Sequence, residues 1–367
     1  MRLLYCSQDY SPHDHRFLSA LSKTQHEVFW IRLEDRNRNL EKRELPSTIR
    51  KVAWREGSER VNWGQYLGLI KHFREAVEDI KPDLIHAGPI QPVGILPVMI
   101  HFHPLVSMSW GFDMLQDAEQ NIFWRQLTQI VLARSDWLFC DCFTVKQKAV
   151  EWGFSSERIT VFPWGVDLDI FKPAVPLKEA GKKIVLLSTR SWEPRYGMDV
   201  ALKGFALAVQ ENPNLQLVLL SGGSQSEWIH SFIHENNLEK YIEIHGQISN
   251  NTLTDFYHEA DVYLSASHID GSSVALMEAL ACGTPALVSN IPSNLEWVRD
   301  GQEGWIFQDG DPVDLAKKIL VITSHPNRLA AASKKARRRA EEKANWDRNV
   351  STMLSAYEQI LEEHQGE

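Results

Sequence analysis

Short apolar runs, each bounded by a stretch of helical patterning, recur along the chain in two successive series. This alternation restricts the fold more than any other feature. In the first series, residues 3–6, 27–31, 83–87, 105–109, 137–140 and 159–162 read as strands, with a helix over residues 16–23. The second begins after Pro173, with strands over residues 184–188, 215–221, 242–245, 262–265 and 286–288. Runs this short and rich in Val, Ile and Leu, separated by helices, belong to parallel sheets covered on both faces. Two series in 367 residues predict two doubly wound α/β domains, each with its own core. The domains are expected at residues 1–172 and 173–345, with an amphipathic helix over residues 346–367. A linker is expected near residues 171–181, where prolines interrupt the periodicity. Ligands of such sheets bind beyond the carboxyl ends of the strands, which for two facing domains means the cleft.

The segment from His268 to Val298 carries the densest chemistry. Asp270 precedes a turn of small residues, Gly271, Ser272 and Ser273. The turn opens an apolar helix over residues 274–282 that stops at Gly283-Thr284-Pro285. Small residues before a helix start let a ligand approach the backbone. The unpaired N–H groups there, with the positive end of the helix dipole, suit a phosphate or a sugar oxygen. Asp270 can accept hydrogen bonds from hydroxyls, and Glu278, about two helical turns on, can face the same crevice. The same residues also spell an ordinary N-capped turn and an ordinary helix stop. Glu278 weighs against that plain reading, because a carboxylate in an otherwise apolar helix is costly without a partner. The residues by themselves support a site for an anion and a polyol.

Composition narrows the classes. Hydrophobic residues at 43% and charged residues at 24% are the proportions of a soluble globular enzyme. A net charge of −9 argues against a nucleic-acid partner. Cys6, Cys140, Cys142 and Cys282 make no disulfide framework in a chain of this length and are expected reduced and buried. No second Cys/His pair matches Cys140 and Cys142 at zinc spacing, so no metal site is expected. The N-terminus is too poor in apolar residues for a signal peptide, and no run approaches a membrane span. A cytoplasmic location is therefore expected. Residues 32–60 are locally basic but diluted by Glu34, Asp35, Glu41, Glu44, Glu56 and Glu59. That leaves peripheral contact with the inner face of an anionic membrane open.

Several segments repeat a known pattern in order and spacing. Residues 156–167 read SERITVFPWGVD and are followed by Phe171-Lys172-Pro173. Thr189-Arg190 ends a strand, residues 217–223 read LVLLSGG, and residues 244–248 read IHGQI. Asp270 and Glu278 then stand eight positions apart. Together these resemble the retaining GT-B glycosyltransferases of family 4. The resemblance implies two Rossmann-like doubly wound domains facing across a cleft, the first for the acceptor and the second for a nucleotide sugar. The last helix is implied to cross back onto the N-terminal domain. The implied reaction moves a hexose-type sugar from a nucleoside-diphosphate sugar, by default a UDP-sugar, to a hydroxyl of a saccharide, lipid or small-molecule acceptor.

The resemblance also implies residue roles. Glu278 would hold the donor ribose hydroxyls. Asp270 would hold hydroxyls of the donor sugar, with the backbone of Gly271, Ser272, Ser273 and Val274 beside it. Arg190 and Arg195 would neutralise the leaving diphosphate, and Gly222 and Ile248 fall in nucleotide-side segments. Fixed cations and a helix N-terminus would serve where other transferases use a metal, so neither metal nor cofactor is implied. No carboxylate is poised as a covalent nucleophile, so front-face displacement is the implied route. Three departures stand out. Asp270 replaces the usual Glu. Arg195 replaces the usual Lys, with Tyr196 before Gly197. In Ser109-Trp110-Gly111-Phe112-Asp113, Trp110 occupies the place of a histidine, while Asp113 is retained to orient the acceptor or a neighbouring loop.

On the acceptor side, His13, Asp14, His15 and Arg16 read as a polar cluster at a strand-to-helix loop, with Trp110 a further candidate. The cluster is read either as contacts to phosphate or acceptor, or as a helix cap at Asp14 with solvated histidines. His86 sits at another strand end that would line the same cleft. Two other GT-B-like readings remain: a catalytically silent subunit that binds nucleotide or a partner enzyme, and a nucleotide-sugar epimerase. A dinucleotide oxidoreductase would need a G-x-G-x-x-G turn after the first strand, and residues 6–16 contain no glycine.

Overall fold

The apolar runs pair into two separate parallel sheets. The structure, a computed structural model, describes residues 1–34, 41–54, 64, 66–174, 183–248 and 250–366. One sheet holds β1 (Arg2–Ser7), β2 (Glu27–Arg32), β3 (Arg50–Lys51), β4 (Leu84–Gly88), β5 (Leu105–Met108), β6 (Trp137–Cys140) and β7 (Ile159–Val161), in the order β3-β2-β1-β4-β5-β6-β7. The other holds β8 (Ile184–Ser188), β9 (Leu215–Leu220), β10 (Ile242–Gly246), β11 (Val262–Ser265), β12 (Ala286–Ser289) and β13 (Gly304–Phe307), in the order β10-β9-β8-β11-β12-β13. The strand order reverses beside β1 in the first sheet and beside β8 in the second. Loops leaving neighbouring strands part there and open a crevice at the carboxyl edge.

Burial explains the sequence pattern. The side chains of β4, β5, β6, β9, β11 and β12 are buried throughout, as strands covered by helices on both faces must be. Leu4, Cys6, Ile85 and Leu138 of the first sheet pack with Phe73, Val131 and Val145 from its helices. In the second unit Leu217 and Leu264 join Phe205 and Ile319 in one cluster. Val218, Tyr263 and Val288 join Leu280 and Ala340 in another. Two strands escaped the sequence reading. β3 has two residues, both exposed, and β13 is a short run whose Gly304 gives no strand signal.

The chain divides into residues 1–162 with 350–367, and residues 163–349. The division falls earlier than the boundary expected at residue 172. Val166 N donates to Ala344 O at 2.7 Å, Trp346 N donates to Val166 O at 3.1 Å, and Phe171 is buried among Tyr257 and Leu280. Residues 163–171 therefore belong to the second unit, with Val166 and Phe171 in its core. The expected linker falls in part on residues 175–181, outside the described residues.

The first helix also starts earlier than expected, at Pro12–Leu21. Ser11 caps it and Asp14 closes a capping box, accepting from Ser11 N at 2.9 Å. Pro12 at the first helical position costs no hydrogen bond. His13, Asp14, His15 and Arg16 thus lie in a helical turn rather than a loop. Asp14 is buried, and the Tyr5 hydroxyl donates to it at 3.0 Å.

Two tests follow from packing and burial. A Cβ on Gly304 would lie 1.9 Å from Ala286 O across the β12–β13 pair, whereas one on exposed Gly68 would meet nothing within 4 Å. Gly304→Ala is expected to destabilise by ~2 kcal/mol or more, and Gly68→Ala, inside the helix Tyr66–Ile80, to stabilise by up to ~1 kcal/mol. Denaturant midpoints check both, and equal midpoints for the two variants would refute the packing account. The second test concerns Asp14. Burial pushes its carboxyl up to about 7, against lowering by hydrogen bonds from Ser11 and Tyr5. An unfolded Asp titrates near ~3.9, so between the two values the native state holds a proton that the unfolded chain releases. The contribution of Asp14 to stability therefore falls as pH rises through that window and is flat above it. The stability difference between wild type and Asp14→Asn should shift across this range in denaturant titrations, and a pH-independent difference would overturn the assignment.

Candidate active site

The switch point of the second sheet brings two distant loops together. β8 ends at Ser188 and leads into Thr189 and Arg190; β11, its neighbour, ends at Ser265 and leads towards Asp270. Arg190 is 8% exposed. Its Nη2 lies 2.7 Å from Asp270 Oδ2, and its Nη1 donates to Ser273 Oγ at 2.6 Å. The Tyr196 ring lies under the guanidinium, 4.0 Å from its carbon. Burial alone would lower the pKa of Arg190, but Asp270 beside it holds the guanidinium above its ordinary range. Burial also opposes ionisation of Asp270, and Arg190 works against that. The result is a fixed cation at the strand end, clamped at two nitrogens and one face.

Ser273 is also the N-cap of the helix Val274–Ala281, accepting from Leu276 N at 3.3 Å. The cation therefore sits at a helix start, where the dipole favours an anion. Ser272 Oγ accepts from Trp297 Nε1 at 3.0 Å, which fixes the turn from behind. Glu278 is half-buried on the same helix, and the hydroxyl of fully buried Tyr257 donates to its Oε2 at 2.9 Å. The Tyr257 hydroxyl also lies 3.4 Å from Thr189 Oγ1, next to Arg190.

Arg195, partly exposed, lies on the short 3-10 helix Pro194–Tyr196, with its guanidinium carbon 5.7 Å from the Tyr196 ring centre. His268 N donates to Arg195 O at 2.9 Å, and His268 Nδ1 meets Asp309 Oδ1 at 2.6 Å. Gly197 ends that helix with φ +60°, and a Cβ there would lie 2.0 Å from Ala266 O. Only glycine lets the two loops approach this closely. Trp192 N donates to Gly222 O at 3.0 Å, tying the turn after β9 to the Arg190 loop. Ile248 packs against the cluster that contains Leu276 and Leu280. The structure thus joins Arg190, Asp270, Ser273 and Tyr196 directly, connects Arg195 through the Tyr196 ring, Glu278 through Tyr257 to Thr189, and Gly222 to Trp192 of the Arg190 loop. Tyr257, Trp297 and the His268–Asp309 pair had no sequence signal, because each acts across a long stretch of chain.

The first unit places its candidates differently. Asp113 is fully buried and accepts from Ile90 N, Ser109 Oγ, Trp110 N and Met114 N at 2.6–3.0 Å. Burial pushes its carboxyl up to about 6, against those hydrogen bonds. Its oxygens thus shape the loop that carries Trp110. The His13 ring packs edge-on against Trp110 at 5.6 Å, and burial, aided by the Arg16 charge, pushes its imidazole down to about 3. It is partly buried and packed against the Trp110 ring rather than freely solvated. His15 Nδ1 lies 2.8 Å from the Tyr10 hydroxyl. His86 lines no crevice: it is fully buried between Tyr5 and Phe139, and its Nδ1 meets the Tyr357 hydroxyl, anchoring the last helix within this unit.

Of the basic stretch, Arg43 pairs with Glu41 and Arg50 with Glu27. Arg36, Arg38 and Arg55, with Asp35, Glu56 and Glu59, lie outside the described residues. The four cysteines are buried free thiols. Among the described residues, no group of three or more His, Cys, Asp or Glu is placed to hold a metal ion, and no helix is long and apolar enough to cross a membrane.

The family described as Glycosyltransferase Family 4 matches residues 13–170, and the family described as Glycosyl transferases group 1 matches residues 171–339. A D-inositol 3-phosphate glycosyltransferase of Thermobispora bispora is 27% identical over 222 residues, 56% of this chain and 51% of the relative. One from Xylanimonas cellulosilytica is 29% identical over 253 residues, 62% of this chain and 58% of the relative. The matched stretches span little more than half the length of these curated relatives. Among solved structures, sucrose-phosphate synthase from Thermosynechococcus elongatus aligns with a TM-score of 0.81 at 17% identity, covering 98% of this chain and 99% of that one. Anabaena HepE in complex with UDP-glucose aligns with a TM-score of 0.77 at 16% identity over the whole of both chains. The structural likenesses establish the fold, two Rossmann-like parallel-sheet domains of the GT-B type. With family matches running in succession from residue 13 to residue 339, the chain belongs to the GT-B glycosyltransferases of group 1 and family 4.

Proposed function

We propose that this chain is a retaining glycosyltransferase that moves a hexose-type sugar from a UDP-sugar to a hydroxyl acceptor by front-face displacement. The observation that carries the proposal is the clamped Arg190 at the start of the helix Val274–Ala281, held by Asp270 and Ser273 at the switch point of the sheet. That arrangement suits a diphosphate whose negative charge grows as it leaves. A preorganised cation and a helix N-terminus stabilise developing charge more than water does, because they need no reorganisation at the moment of reaction. Arg195 supplies a second positive charge nearby and Asp270 takes donor-sugar hydroxyls. The same carboxylate then serves as counter-ion and as hydroxyl acceptor. Glu278 takes the ribose.

In the displacement, the bond from the anomeric carbon to the phosphate oxygen breaks as the bond to the acceptor oxygen forms on the same face. The leaving phosphate oxygen takes the acceptor proton. Alignment rather than a strong base carries the step. The reading assigns no metal or cofactor, since Arg190, Arg195 and the helix start fill the electrostatic role that a divalent ion fills elsewhere. Uridine is supported by the UDP and UDP-glucose complexes of HepE, a protein of the same fold. The acceptor, a saccharide, a lipid or a small molecule, is taken by the N-terminal unit, where Asp113 holds the Trp110 loop in shape. The buried free thiols fit a reducing, cytoplasmic compartment, where peripheral contact with the inner membrane face accompanies a lipid acceptor.

A thermal-shift screen against UDP-, GDP-, ADP- and TDP-sugars with EDTA present, and against NAD(P)H, tests the reading. A ligand that binds only the folded state raises Tm with occupancy. UDP-sugars are expected to give the shift. Glu278→Ala should weaken UDP binding about tenfold, as loss of a hydrogen-bonded charge does. Arg190→Lys, which keeps the charge but loses the fork, should lower kcat ~100-fold with a smaller change in donor affinity. No shift with any sugar nucleotide, or a shift with NAD(P)H alone, would refute the transferase proposal. An unchanged Kd in Glu278→Ala would remove the ribose role.

A further inference from the structure

Tyr257 stands in the helix Asn250–Glu259 with none of its surface exposed. Its hydroxyl has three polar neighbours. Glu278 Oε2 lies at 2.9 Å, Ala275 O at 3.2 Å and Thr189 Oγ1 at 3.4 Å. A phenol has one proton, and the charged carboxylate is the nearest and strongest acceptor for it. The Thr189 hydroxyl can donate in turn to the phenol oxygen. The residue itself is held hard. Thr284 Oγ1 donates to Tyr257 O at 2.7 Å, and the ring packs against Phe171 and Tyr263 at 6.2 and 6.1 Å. Burial, and then the Glu278 charge, push the phenol well above its ordinary range, so it remains a donor across the working pH.

Glu278 is half-buried on its helix, and a carboxylate on a side chain this long has rotamers that miss a ligand. One strong hydrogen bond from a rigid, buried donor selects among them. The same hydroxyl reaches the residue before Arg190, so a single atom fixes the carboxylate relative to the end of β8. We propose that Tyr257 is a positioning residue for nucleotide binding: its hydroxyl sets the Glu278 carboxylate for the donor's ribose hydroxyls without itself touching the ligand. This rests on the donor reading above, and it adds a residue to that site.

The test is calorimetric binding of UDP and 2′-deoxy-UDP, with the ADP and GDP pairs alongside, to wild type, Tyr257→Phe, Glu278→Gln and the double variant. Wild type should prefer the ribonucleotide. Tyr257→Phe should weaken UDP about five- to tenfold, as loss of a hydrogen bond to a charged group does, and leave 2′-deoxy-UDP nearly unchanged. In the Glu278→Gln background the second substitution should cost little more, because the two residues act through one contact. Equal losses on both nucleotides, or full additivity in the double variant, would show a merely structural role and overturn the proposal. So would an unchanged UDP affinity in Tyr257→Phe. Wild type that binds both nucleotides equally overturns the ribose role of Glu278 and the proposal with it. Wild type that binds no nucleoside diphosphate overturns the donor reading itself. If Tyr257→Phe does not fold, 3-fluorotyrosine at position 257 keeps the ring and alters the donor strength. The ratio of the two affinities should then change, and an unchanged ratio rejects the proposal.

Discussion

The ion pair between Arg190 and Asp270 is the interaction on which the second unit's site depends. Both groups lose most of their water, and a buried pair repays that loss only when its remaining donors and acceptors are satisfied. Here the guanidinium has a carboxylate at one nitrogen, a serine hydroxyl at another and an aromatic face beneath it, while its buried Nε has no hydrogen-bond partner among the described residues. The groups come from two loops that share no local sequence, residues 189–197 after β8 and residues 266–273 after β11. Only the reversal of strand order beside β8 brings the ends of β8 and β11 into one place. The charge therefore belongs to the topology as much as to the residues.

The first unit contains two buried carboxylates of another kind. Asp14 is satisfied by Ser11 and Tyr5, and Asp113 by donors from residues 90, 109, 110 and 114. Neither has a cation against it among those partners. Each oxygen is used by the backbone or by a neighbouring hydroxyl, so these groups hold loop and helix geometry. Burial raises both, which marks them as desolvated rather than exposed to an acceptor. A buried acid spent on its own chain holds local geometry, whereas Asp270 is balanced by the buried Arg190 cation at a strand end.

Much of the fold was legible because parallel strands need unbroken apolar runs, and those of β6, β8 and β11 lie where the sequence places them. What the runs could not reveal were elements without such a signature. β3 is two exposed residues, and β13 depends on Gly304 fitting against Ala286. The first helix was set late because its start is fixed by Ser11 and Asp14, while its apolar face begins only at Phe17. At the site, residues carried by local spacing could be read, as with Asp270 and the turn before Val274. Residues that act across the sheet could not. Tyr257 reaches Glu278 over 21 positions and Trp297 reaches Ser272 over 25. His86 looked like a cleft residue because it ends a strand, but its side chain turns inward to meet Tyr357.

Two departures from the family pattern explain one another. Tyr196 follows Arg195, where the pattern has lysine, and the Tyr196 ring lies 4.0 Å from the Arg190 carbon and 5.7 Å from that of Arg195. A flat, weakly hydrated guanidinium gains from an aromatic face, whereas a compact ammonium keeps its water and gains less. With tyrosine in that position, arginine is the cation that can share the ring with Arg190. The ring also covers Arg190 from solvent, which strengthens its attraction to any anion at the helix start. The pair Arg195 and Tyr196 is thus one substitution in physical terms. It exchanges a point charge for a stacked one while keeping positive charge beside the helix start, and the Gly197 turn makes room for it against Ala266.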